Sequence, residues 1–122
     1  MKTTASLLAL LVCLITPRSL LAHAFLDHSD PKVGSEVSAA PTEVRIWFTQ
    51  EIEPAFSSIQ VFDAGGKEVD KKDCHQDSKD KTLLIVSIPA DAGPGAYKVS
   101  WHVISIDTHK TQGDFKFTIN AK

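Results

Sequence analysis

The sequence predicts an all-β domain, built as a sandwich or a small barrel, and three observations carry that prediction. Hydrophobic residues recur with a period of two rather than three to four. The alternating runs are short and are separated by turn chemistry. No segment carries a sustained helical stripe, an internal repeat or a low-complexity tract.

Taken in order, Val44, Ile46 and Phe48 alternate with Glu43, Arg45 and Trp47, and Ile59 and Val61 alternate with Ser58 and Gln60. Both runs read as half-buried antiparallel strands, and Gly65-Gly66 then offers a tight turn. Leu83 to Ile88 is apolar almost throughout, which suits a strand covered on both sides. After the Gly93-Pro94-Gly95 turn, Tyr97, Val99, Trp101 and Val103 face one way and Lys98, Ser100 and His102 the other. Phe115, Phe117 and Ile119 alternate in a last strand. The stretch from Lys67 to Lys81 is dense in both charges and reads as a solvated loop or an edge hairpin.

Composition bounds the function. The chain has 122 residues, 43% hydrophobic and 23% charged, which excludes a disordered or collagen-like polymer and leaves room for one domain. Thirteen basic residues less Lys2 and Arg18 of the first 22 leave eleven against fifteen acids, a charge near −4 past the leader. That balance argues against a nucleic-acid partner, whose affinity draws on a basic face.

Residues 1–22 read as a secretory signal. Lys2 precedes the apolar run Leu7 to Ile15, which is too short to span a bilayer, a task that takes about 20 residues. Cleavage after Ala22 leaves His23 first, whereas cleavage after Ala24 has the better small-residue pattern and removes His23. Cys13 leaves with the leader in either case. Cys74 then stands alone, so no intramolecular disulfide can form and the core must hold the fold.

Enzyme signatures are absent: no Gly-rich phosphate loop, no Gly-x-Ser-x-Gly elbow, no His-Glu-x-x-His and no Cys-x-x-Cys. The histidines are the unusual feature. With cleavage after Ala22, the α-amine and ring Nδ1 of His23 can close a chelate on one ion. Asp107 and His109, two apart in a segment leaving the long strand, face one side if the backbone is extended. Three nitrogens and a carboxylate oxygen make a tetragonal set, which favours Cu(II). An Asp-x-His pair by itself is common in loops and binds nothing in most of them.

At this point a family resemblance enters. The order His23-Ala24-Phe25-Leu26-x-x-Ser29-x-Pro31-x-x-Gly34, then Pro41-x-x-Val44-x-Ile46-x-Phe48-Thr49, then Gly95-x-Tyr97-x-Val99-x-Trp101, then Ser105-x-Asp107-x-His109-x-x-x-Gly113-x-Phe115-x-Phe117 resembles the CopC-type periplasmic copper-binding proteins. The resemblance covers His23 to Ile119. It implies a cupredoxin-like, immunoglobulin-like Greek-key fold over residues 23–122. It also implies one Cu(II) per chain, held by a mature N-terminal His, an Asp and a second His, roles that fall on His23, Asp107 and His109. It favours cleavage after Ala22 and implies a monomeric, non-enzymatic copper carrier or buffer in the periplasm, serving an inner-membrane transporter of the CopD type. Two other classes share parts of this pattern: a copper-dependent oxidative enzyme using the same N-terminal His, and a metal-independent immunoglobulin-like structural module.

The chain departs from the family in two places. Its one methionine, Met1, leaves with the signal, so a thioether Cu(I) site of the kind some members carry cannot form. Gln50 stands where many members have an acidic residue, with Glu51 and Glu53 just beyond; Gln can hydrogen-bond there but supplies no charge. Elsewhere, His28 and His102 read as exposed side chains, and Trp47 and Trp101 as packed aromatics. Cys74-His75 has ligand types suited to Cu(I) or zinc, yet two adjacent ligands rarely close a site.

Overall fold

Alternation builds both sheets. The computed structural model describes residues 23–121; the expected signal segment 1–22, with Cys13, lies outside them. Eight strands run in the order β1 (Leu26–Asp30), β2 (Glu36–Val37), β3 (Glu43–Phe48), β4 (Ser58–Phe62), β5 (His75–Gln76), β6 (Leu83–Ser87), β7 (Gly95–Ile104) and β8 (Lys110–Ile119). One sheet has the order β1-β3-β6-β5 and the other β2-β8-β7-β4. Every pairing is antiparallel except β2 with β8. The architecture is therefore an all-β sandwich of two four-stranded sheets, the first of the two forms the periodicity allowed.

The inward side chains are those that the period of two selects. Val44, Ile46 and Phe48 of β3, Ile59 and Val61 of β4, Leu84 and Val86 of β6, Tyr97, Val99, Trp101 and Val103 of β7, and Phe115, Phe117 and Ile119 of β8 form one buried cluster between the sheets. Each fully buried aliphatic or aromatic side chain contributes about 1.5–3 kcal/mol, so this cluster holds the domain with no disulfide. Leu83 and Ile85, on the other face of β6, are buried as well, in line with a strand covered on both sides.

One segment takes the second of its two expected forms and one departs from expectation. The charged stretch 67–81 ends in an edge hairpin, β5 with β6, rather than a solvated loop. Val69 packs against the core, the buried Asp70 accepts the Val61 amide at 2.8 Å, and His75–Gln76 pairs with β6 as an edge strand. Apart from Asp70, its charged side chains reach water, with Lys67, Lys71, Lys72, Asp73, Lys79 and Lys81 exposed, while its backbone covers the edges of β4 and β6. The last strand begins at Lys110, well before its first apolar residue, because the inward positions Thr111 and Gly113 do not pack as ordinary core. Gly113 lies opposite Trp101, and a Cβ there would come within 2.6 Å of the indole Cζ2. The missing side chain is the room the Trp101 ring occupies.

Candidate metal centre

The β7–β8 hairpin ends in the turn that carries the Asp-x-His pair. Ile104 pairs with Lys110 across its base. The Ser105 amide donates to the His109 carbonyl at 3.0 Å, and the Thr108 amide donates to the Ser105 carbonyl at 2.8 Å. Thr108 has φ +73°, a left-handed conformation that few side chains adopt. The segment is thus a tight turn and not the extended run from which shared facing was argued.

Asp107 and His109 meet all the same. Their Oδ1 and Nδ1 lie 3.3 Å apart, with both side chains about half exposed. Ser105 is the reason. It is 1% exposed, its hydroxyl donates to Asp107 Oδ1, and its oxygen accepts the His109 amide at 3.3 Å. The Ser105 hydroxyl, followed by His109, holds the Asp107 carboxyl below the usual carboxylate range. The Ile106 amide donates to the Glu51 carbonyl at 3.2 Å, pinning the turn to the segment after β3.

His23 arrives from the other sheet. The short arm before β1 buries Ala24 completely. Thr49, at the end of β3, accepts the Phe25 amide on its hydroxyl at 3.0 Å, donates that hydroxyl towards the His23 carbonyl at 3.3 Å, and donates its own amide to the Phe25 carbonyl at 2.8 Å. On the opposite sheet the Thr111 hydroxyl donates to the Ala24 carbonyl. These bonds leave the half-buried His23 ring 4.6 Å from the His109 ring, centroid to centroid, and 5.9 Å from that of Phe25. Phe25 is 41% and Ile106 53% exposed, so apolar side chains flank the cluster at the surface.

All three residues singled out from the sequence therefore come to one end of the sandwich. Among the described residues no three His, Cys, Asp or Glu side chains are disposed to enclose an ion by themselves. An ion held at this end would need a further donor beside these three side chains.

The remaining candidates lie elsewhere. Gln50 is exposed just past β3. His28 is exposed and stacks on Trp47 at 4.4 Å with its Nδ1 on Asp27 at 2.6 Å. His102 points outward beside the buried Trp101. Cys74 and His75 face opposite ways, as neighbours in extended chain do. Cys74 packs against the core, where burial pushes its thiol up to about 11, while His75 is exposed with Nδ1 on the Asp73 carbonyl at 2.9 Å. Sequence reasoning missed the parts played by Ser105, Thr49 and Thr111. Hydroxyls that bond to backbone leave no periodic signal, and the Thr111–Ala24 bond spans nearly the whole domain.

Residues 26–120 match the CopC domain model. The chain is 33% identical over 114 residues to Protein YobA of Escherichia coli K12, covering 93% of this chain and 91% of that one. It is 29% identical over 119 residues to Copper transport protein CutJ of Bacillus subtilis, covering 93% of this chain but 21% of that much longer one. Among solved structures, CopC from Methylosinus trichosporium OB3b superposes with a TM-score of 0.75 at 32% identity, covering 80% of this chain and 94% of that one. A family model spanning almost all of the described residues, a relative matched over nine-tenths of both chains and a matching sandwich agree, and the chain belongs to the CopC family.

Proposed function

We propose that the protein is an exported copper carrier or buffer that holds one Cu(II) at the end of the sandwich where His23, Asp107 and His109 gather. Removal of residues 1–22 frees the His23 α-amine, which chelates together with its own imidazole. His109 adds a third nitrogen and Asp107 a carboxylate oxygen. The single observation that carries the reading is the 4.6 Å approach of the His23 and His109 rings, with Asp107 already beside His109. Two imidazoles from distant parts of a chain have no packing reason to meet at a half-exposed surface, whereas a shared ion gives them one.

The compartment follows from the leader, and the periplasm is the setting that suits a family of copper proteins carrying one. The role of carrier draws on a relative. In the copper transport protein of Bacillus subtilis the matching segment is about a fifth of the chain, so this domain occurs covalently joined to a transport protein. A separate chain of the same family can serve an inner-membrane copper transporter of the CopD type by docking to it. The exposed Phe25 and Ile106 beside the cluster provide a surface for such an encounter.

Intact mass spectrometry of the exported protein, with and without added Cu(II), tests the reading. The expected result is a chain beginning at His23 that gains one copper and shows a nitrogen-rich tetragonal electron paramagnetic resonance signal. A chain beginning at Phe25, or one that gains no copper, would overturn it.

A further inference from the structure

The copper reading requires the His23 arm to stay beside the Ser105–His109 turn, and the means by which it does so is specific. Burying Ala24 to 0% exposure draws its carbonyl in with it, and a buried carbonyl needs a donor. The Thr111 hydroxyl supplies one. Thr49 bonds the arm too, but Thr49 follows β3, in the sheet to which β1 belongs. Among the described hydrogen bonds of residues 23–25, the one from Thr111 crosses to the strand that follows His109. Thr111 is two residues past His109 and Ala24 one residue past His23, so this bond is a direct strap between the two backbones that carry the imidazoles.

We propose that Thr111 is a positioning residue for the copper centre: through the Ala24 carbonyl it sets the His23 ring against His109. This inference rests on the copper reading for its function, but not for its geometry. Valine has nearly the shape of threonine and cannot donate, so Thr111→Val removes the strap and keeps the packing. The α-amine and ring of His23 would still chelate, but His109 would no longer be held in reach. Serine keeps the hydroxyl, so Thr111→Ser should behave as the parent does.

The test uses the full chain, exported and purified, in three forms: parent, Thr111→Val and Thr111→Ser. Nuclear Overhauser contacts between the His23 and His109 rings are read in metal-free protein. Cu(II) affinity is read by chelator competition, and the ligand set by electron paramagnetic resonance. In Thr111→Val the ring contacts should disappear, affinity should fall by about 10- to 100-fold, the range for groups that orient metal ligands, and the signal should lose nitrogen character. Thr111→Ser should restore all three. If Thr111→Val does not fold, Thr111→Ala is read in the same way. A valine variant with parental contacts and affinity overturns the proposal, and a lowered melting point alone would assign Thr111 to stability instead. If the parent took up no Cu(II) while the valine variant lost its ring contacts, the copper reading would fall and the positioning role would stand.

Discussion

The imidazole of His23 lies 4.6 Å from that of His109, with 40° between their planes. The two rings come from distant parts of the sequence and from segments attached to different sheets. Neither ring is part of the buried cluster that holds the sandwich. Their meeting is therefore separable from folding, and it can be tested without unfolding the protein.

A residue added before His23 turns its amine back into an amide, and His109→Ala removes a nitrogen from the far side. Each change should weaken Cu(II) binding by orders of magnitude, because each opens one arm of the chelate. Metal-free protein of both variants should melt cooperatively at the parental temperature. Added Cu(II) should raise the midpoint of the parent alone, by simple linkage. Chelator competition and calorimetry check this; equal copper affinity in all three proteins would reject the assignment of ligands.

Gly113 makes a sharper prediction about the core. A Cβ there would stand 2.6 Å from Cζ2 and 2.9 Å from Cε2 of Trp101. Trp101 cannot simply yield, because it packs edge-on against Phe48 at 5.3 Å. Gly113→Ala should cost about 1–3 kcal/mol, the usual range for overpacking, and lower the melting temperature by several degrees. The near-ultraviolet dichroism of Trp101 should change with it. An unaltered melting temperature would show that the ring has room to move.

These relationships mark how much was legible in advance. The strands from Val44, Ile59 and Tyr97 were readable because each buries one face, which writes a period of two into the sequence, and β6 was readable because burial of both its faces leaves a run that is apolar almost throughout. The first half of β8 was not, because Thr111 and Gly113 face inward without being large and apolar: one bonds to the Ala24 carbonyl and the other makes room for a ring. Asp107 and His109 were found by residue type, but for the wrong backbone. Their convergence comes from Ser105 and from the left-handed Thr108, neither of which spacing reveals.

Cys74 should be nearly inert. Burial, which comes first, and the nearby Asp70 and Asp73 charges raise its thiol to about 11. A thiol raised to about 11 is almost entirely protonated at pH 8, and the thiolate is the reactive form. Alkylation by iodoacetamide at pH 8 should be slower in the native protein than in urea by one to two orders of magnitude, roughly tenfold for each pH unit by which the thiol is raised. The native protein should also form no disulfide-linked dimer under air. Equal rates in the two states would mean that the thiol is exposed in solution.

Acid should release copper before it unfolds the protein. Protons compete with the metal for an amine and for imidazole nitrogens, so the nitrogen ligands are lost first as pH falls. The Asp107 carboxyl lies below its ordinary range, chiefly through the Ser105 hydroxyl, and stays ionised throughout that loss. The fold has its own acid limit, set by carboxylates that the native state holds ionised. Asp73 accepts the Ser87 amide at 2.8 Å, and Asp80 accepts the amide and hydroxyl of Thr82 at 2.9 and 2.7 Å. Hydrogen bonds from Ser87 and Thr82 lower the two carboxyls respectively. A carboxyl whose folded pKa lies below its unfolded value, about 3.9, adds stability that is fully present above that value and is lost as pH falls through the folded pKa. The melting temperature of metal-free protein should therefore hold level from neutrality to about pH 4 and decline below it. Asp73→Asn and Asp80→Asn should each make the decline shallower. Following the copper signal and β-sheet circular dichroism together from pH 8 to pH 3 checks the order of events. Simultaneous loss of metal and sheet would show that the centre and the fold are one cooperative unit, contrary to the separation argued from the buried cluster.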